Sequence, residues 1–146
     1  MNDKNKQGLE ICYKTANILK EKYPNEIMKI QNDTILAFSK ENKRKIKKRI
    51  KSMGSYYAFY TNYKPHRIII KQKFLSNPSM QKISNPQNAL INGNFALIDL
   101  MCHELSHHRT KGHAKGFKIK YRKFLLYMVN LIISGLFYKI TNEVKI

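Results

Sequence analysis

The sequence predicts a single α+β domain: a small mixed or antiparallel sheet, edged by a β-hairpin, packs on a site-bearing helix between N- and C-terminal helices. Three observations carry this reading. Apolar residues recur with a helical period near both ends of the chain, and residues 55–71 concentrate strand formers around a turn. Residues 94–110 place His and Glu on one face of a helix and apolar side chains on the other. The 146 residues suit one hydrophobic core, so one domain spans 1–146, with its core over residues 25–127.

Leu9, Cys12, Ala16, Leu19 and Tyr23 recur at spacings of three and four and define a first helix that Pro24 ends. Ile27–Gln31 and Thr34–Phe38 are short apolar runs around Asn32-Asp33, the pattern of a hairpin. Ser39 can cap a basic helix reaching Ser52, with Glu41 in its first turn and Ile46 and Ile50 facing inward. Gly54 opens the strand Ser55–Thr61, Asn62–Pro65 has turn chemistry, and His66–Lys71 is the returning strand. Two Ser-Asn-Pro tripeptides, at 76–78 and 84–86, punctuate a surface loop. Asn94 can cap a helix running to Thr110 and closed by Gly112, and a last helix runs from Ala114 to Tyr138.

Lys and Arg number 28 against 9 Asp and Glu, a formal net charge of +19. Such a surface attracts polyanions; the densest run, Lys43–Lys51, reads first as a solvated helix face, with nonspecific contact to nucleic-acid phosphates as its alternative reading. No base-reading motif accompanies it. Cys12 and Cys102 lie too far apart for a disulfide framework or a Cys-based zinc ribbon, which predicts a reduced, cytoplasmic setting. The first residues contain no apolar stretch, so no secretory signal is expected. The apolar run 124–138 is shorter than the roughly 18–20 residues of a membrane span and reads as a buried C-terminal helix.

The chemistry concentrates in His103-Glu104-Leu105-Ser106-His107. Histidines at i and i+4 share a helix face and can point at one metal ion, with the glutamate between them placed to act on a water there. Ile98, Met101, Cys102 and Leu105 fall on the opposite side and back the metal face with core. His113 follows Gly112, where the chain can turn back to present a third imidazole, and catalytic zinc takes three protein ligands with one position open. His108 is about 100° off the metal face.

His103-Glu104-Leu105-Ser106-His107, five residues, His113, three residues and Phe117 resemble the H-E-L-x-H-x5-H-x3-F signature of small zincin metallopeptidases of the SprT-like, YgjP-type and WLM-type group. Arg49–Ser55, followed by a strand and Arg67–Ile70, is similar to the stretch that precedes the metal helix in that group. The resemblance covers roughly residues 40–127 and implies a zincin-like fold whose hairpin edges the cleft with its second strand. It also implies a proteinaceous substrate, in some relatives one attached to DNA. The position that holds glycine in metzincins is Thr110 here, and Gly112-His113 keeps a Gly-His pair without the longer SprT insert.

A zinc metallopeptidase is the function these residues predict, with one Zn2+ on His103, His107 and His113 and with Glu104 as general base toward a zinc-activated water. Tyr60, His66, Tyr121 and Tyr127 are candidates for stabilising the oxyanion, and Asp99 for orienting an imidazole. The hairpin edge can pair with an extended peptide backbone. Cys102 reads as a small buried hydrophobe. Two rival readings are a non-catalytic metal- and nucleic-acid-binding protein and a membrane-associated protein anchored by residues 124–138.

Overall fold

Four α-helices and a three-stranded mixed sheet appear in the computed structural model, which describes residues 3–42, 44–46, 56–61, 63–76, 94–110 and 112–134. Helix α1 (Asp3–Lys22) buries Ile11, Cys12, Thr15, Ala16 and Leu19, a single stripe that packs on α3 (Asn94–Leu105). It therefore contributes to the core from upstream of residue 25. Gly8 lets α1 close on α2 (Gln72–Ser76): a Cβ there would stand 2.5 Å from the Leu75 carbonyl oxygen.

Strand β3 (Ile68–Ile70) lies between β1 (Ile35–Ala37) and β2 (Ala58–Tyr60). It pairs antiparallel with β2, with Ala58 opposite Ile70 and Tyr60 opposite Ile68, which agrees with the hairpin read from residues 55–71. Its pairing with β1 is parallel, Ile35 opposite Ile68. All three isoleucines of β3 are 0% exposed, because both faces of a central strand are covered. Ile68 and Ile70 enter the main core, while Ile69 joins Leu36 and Ile46 on the other face.

The hairpin expected over residues 27–38 does not form. Its turn is present, closed by the Thr34 N–H on the Gln31 carbonyl at 3.1 Å, but the segment before it is irregular and buries Ile27 and Met28 in the core. The strand after it leaves for β3, braced by Tyr13, whose hydroxyl bonds the Asn32 carbonyl and accepts the Ile35 N–H. The basic helix expected from Ser39 to Ser52 is, among the described residues, a 3-10 turn at Lys40–Asn42 with Ile46 buried as expected. Arg67 takes the Lys45 carbonyl at 3.1 Å, an acceptor that a continuing helix would need. The rest of the run Lys43–Lys51, with Ile50, and the loop over 77–93 lie outside the described residues.

Helix α3 ends at Leu105, five residues short of the expected Thr110. His107 N–H bonds the Glu104 carbonyl and His108 N–H that of Leu105, a tightening to i→i+3 bonds. The hydroxyls of Ser106 and Thr110 reach back four residues to backbone carbonyls, and Arg109 takes a left-handed φ of 63°. Helix α4 (Lys115–Ile133) starts after Ala114, close to the expected position; residues 135–138 of the expected helix are outside the described set. One face of its apolar second half packs inward, with Phe124 and Met128 at 0% exposure, while Leu126 on the outer face is 60% exposed. The expected buried helix is thus buried on one side, and no helix among the described residues is long and apolar enough to cross a membrane.

Candidate metal centre

His103 sits on the last turn of α3, His107 on the tightened turn beyond it, and His113 after the reversal at Arg109 and Gly112. Gly112 has φ +66°, a conformation that L side chains rarely adopt, so the glycine is what lets the chain return here. The three rings form a near-equilateral triangle, with centroids 5.2, 5.1 and 5.0 Å apart. One nitrogen from each lies within 4.8 Å of the others, so the group could hold a metal ion. His113 Nε2 and His103 Nε2 are 3.2 Å apart. Two nitrogens on an ion with tetrahedral bonds of about 2.0–2.1 Å stand about 3.3 Å apart, so that edge already has the required length.

Phe117 forms the wall behind the triangle. Its ring stacks on His107 at 4.5 Å and meets His103 and His113 at 4.9 and 4.8 Å. The opposite side of α3 is buried as expected, through Ile98, Met101, Cys102 and Leu105. Burial pushes the Cys102 thiol well above its ordinary range, consistent with an inert apolar role.

Glu104 is 4% exposed, and its carboxylate lies 4.0 Å from His103 Nε2. Burial pushes its pKa up to about 7. His103 is lowered to about 4, first by burial and then by the neighbouring His107 and His113. His107 is lowered for the same two kinds of reason. Neutral imidazoles are the form that binds metal, and the fold favours that form in His103 and His107.

A cleft of about 230 Å3 lies beside this face, lined by Tyr57, Ala58, Asp99, His103, Glu104 and Tyr121 among others. The strand at its edge is β2, not the second strand of the hairpin, because β3 is the central strand of the sheet. Tyr121 is the oxyanion candidate that the structure brings to the cleft, and its hydroxyl donates to Asp99 Oδ1. Asp99 is thus engaged by Tyr121 rather than orienting an imidazole, and burial raises its pKa while that hydrogen bond lowers it. Tyr127 does not line the cleft and packs edge-on to Tyr23 at 5.8 Å.

Tyr60 and His66 belong to a separate cluster with His108. Tyr60 Oη and His108 Nδ1 are 2.8 Å apart, and the His66 ring stacks on Tyr60 at 5.2 Å. No local pattern in the sequence could join residues 60, 66 and 108. The one signal was the offset of His108 from the metal face. A larger groove of about 660 Å3 on the outer side of α4 is lined by Lys115, Lys118, Ile119, Arg122, Lys123 and Leu126 and holds no acid or imidazole. Comparison with protein-family models, curated proteins and solved structures finds no match to this chain.

Proposed function

We propose that the protein is a zinc-dependent peptidase of small zincin type. One observation carries the reading: three imidazoles converge beside a buried glutamate, and one of them, His103, lines with that glutamate a cleft edged by a sheet strand. A structural metal site has no use for a general base, whereas hydrolysis needs one beside the attacking water. A donor set of three imidazoles fits zinc, which would take a water as its further ligand. His103, His107 and His113 would hold the ion, which would supply a Lewis acid that polarises a peptide carbonyl and acidifies a water.

Glu104 then accepts a proton from the attacking water at its carboxylate and delivers it to the departing amine. The edge of β2 offers backbone groups to an extended peptide, which would hold the scissile bond over the cleft. Phe117 and the core face of α3 fix the imidazoles and exclude water from behind. With a net charge of +19, proteins held on nucleic acid are the substrates that the surface favours.

Metal analysis of the purified chain together with Glu104→Gln tests the reading. The expected result is one zinc per chain, lost in His103→Ala, and a Glu104→Gln variant that keeps zinc while peptide hydrolysis falls about a hundredfold or more. Full hydrolysis by Glu104→Gln overturns the assignment.

A further inference from the structure

Next to the metal face, three stretches distant in sequence, the β2–β3 hairpin, the turn after α3 and helix α4, meet around two imidazoles. Tyr60 comes from β2, His66 from the approach to β3, His108 and Arg109 from the turn after α3, and Lys120 from α4. Tyr60 Oη and His108 Nδ1 are 2.8 Å apart. The His66 ring stacks on Tyr60 with an interplanar angle of 16° and meets His108 edge-on at 5.7 Å. His66 Nδ1 is fixed by the Thr61 carbonyl at 2.9 Å, which makes that nitrogen the N–H and leaves Nε2 facing outward from the bond. Lys120 Nζ donates to the His108 carbonyl at 2.6 Å, anchoring a cation beside the rings.

The charge in this cluster is one-sided. Arg109 is exposed and directly follows His108 in the chain, and its positive charge acts on Tyr60, His108 and Lys120; the charge of Lys20, whose Nζ donates to the Pro24 and Ile27 carbonyls, also acts on His108. Glu26, the acid that acts on Lys120, is already ion-paired with Lys123. A guanidinium, an ammonium, a phenol and imidazoles held together with no carboxylate of their own among the described residues form a host for an oxyanion. Arg109 also keeps a φ of 63°, a backbone state unusual for a residue other than glycine.

Position connects the cluster to the cleft. Ala58 lines the cleft, and Tyr60, two residues on, shares its face of the strand. His108 directly follows the metal-face residue His107. An extended peptide along β2 advances about 6.6 Å for every two residues, so a side chain two residues from the bond cut would arrive at the cluster.

We infer that Tyr60, His66, His108 and Arg109 form a subsite for an oxyanion, a carboxylate or phosphate carried by the substrate about two residues from the scissile bond; the substrate part of this inference rests on the peptidase reading above. The subsite gives a protein with a shallow cleft a preference for acidic or phosphorylated segments. The same one-sided charge repels basic ones.

Two measurements test it. In the first, histidine side-chain NMR spectra of the zinc-loaded chain are followed during titration with inorganic phosphate and, separately, with N-acetylglutamate amide. His66 and His108 should shift saturably with at least one of the two, and Arg109→Gln should weaken that binding about tenfold or more, with partial recovery in Arg109→Lys. In the second, matched peptides carry Glu, phosphoserine or Gln at the subsite position. The wild type should prefer an acidic peptide over Gln about tenfold in kcat/KM, and Arg109→Gln should bring the ratio close to one. The arm that wins identifies carboxylate or phosphate as the natural group. Saturable, Arg109-dependent shifts without cleavage of any peptide would sustain the anion site and overturn the peptidase reading. Cleavage with no acidic preference and no saturable shift would overturn the subsite and leave the peptidase reading standing.

Discussion

Replacing Phe117 by Leu tests whether the aromatic wall prepares the imidazoles for a metal. The ring is 4% exposed and touches all three histidine rings, with centroid distances of 4.5–4.9 Å. Leucine keeps most of the buried apolar volume, so the metal-free fold should lose less than about 1.5 kcal/mol. What leucine lacks is the flat face against which the imidazoles rest. Ordering a side chain only on binding costs at least about 0.5 kcal/mol, so three imidazoles cost about 1.5 kcal/mol, close to a tenfold loss of zinc affinity. Competition against a chromogenic chelator measures that affinity directly. Thermal unfolding at fixed free zinc gives a second readout: the zinc-dependent rise in Tm should be smaller in Phe117→Leu by roughly 4 °C. Zinc affinity within twofold of wild type, alongside the expected small loss in the metal-free fold, would refute the role assigned to Phe117.

Gly8→Ala should reverse the usual sign of a glycine replacement within a helix. Such a change ordinarily stabilises by about 1 kcal/mol, but here the new Cβ would meet the Leu75 carbonyl oxygen at 2.5 Å. Denaturant unfolding should show a net loss of about 1–3 kcal/mol, and a stabilised variant would contradict the close approach of α1 to α2. Arg67 donates to Asp33 at 3.0 Å and holds that carboxyl below its ordinary pKa. An acid depressed in the folded state adds stability above its unfolded pKa and loses it as pH falls through the folded one. Asp33→Asn should therefore cost up to about 1 kcal/mol at pH 7, given partial solvent screening, and nothing once the pH lies below the folded pKa; an equal cost at both pH values would contradict the ion pair.

The legible parts of this chain are those specified by neighbours in sequence. Helix α1 and its end at Pro24, the β2–β3 hairpin, and the His103–His107–His113 set all follow from spacing and turn chemistry. Most of the errors come from long-range contact, and the early end of α3 from local side-chain bonds. Thr34–Phe38 has the composition of a hairpin arm, yet the partner of β1 is β3, more than thirty residues away. A parallel pairing leaves no turn signal to read. His107, Ser106 and Thr110 are all compatible with a helix, and only the hydroxyl bonds and the reversal at Arg109 show that α3 has already ended. The resemblance implies the second hairpin strand at the cleft edge, whereas the edge strand is β2, because strand order is invisible until the sheet is assembled. The meeting of Tyr60, His66 and His108 has the same origin.

Glu104 brings stability and function into conflict, and that conflict can be measured. It is the charged residue among a buried set that is otherwise apolar or neutral, and its near neighbour His103 is held uncharged in the metal-free fold. A carboxylate in such a place loses its water without gaining a cation. Were it there for structure, an apolar or neutral side chain would serve better. Glu104→Gln keeps the shape and removes the charge, so the metal-free variant should be more stable than the metal-free wild type by about 1–3 kcal/mol near pH 7. Denaturant unfolding in the presence of a chelator measures this, independently of any substrate. Residues retained against stability are those the chemistry requires, so a gain in stability combined with a loss of hydrolysis marks Glu104 as functional. A loss of stability in Glu104→Gln would mean that the carboxylate holds the fold together, and the case for a general base would then lose its physical ground.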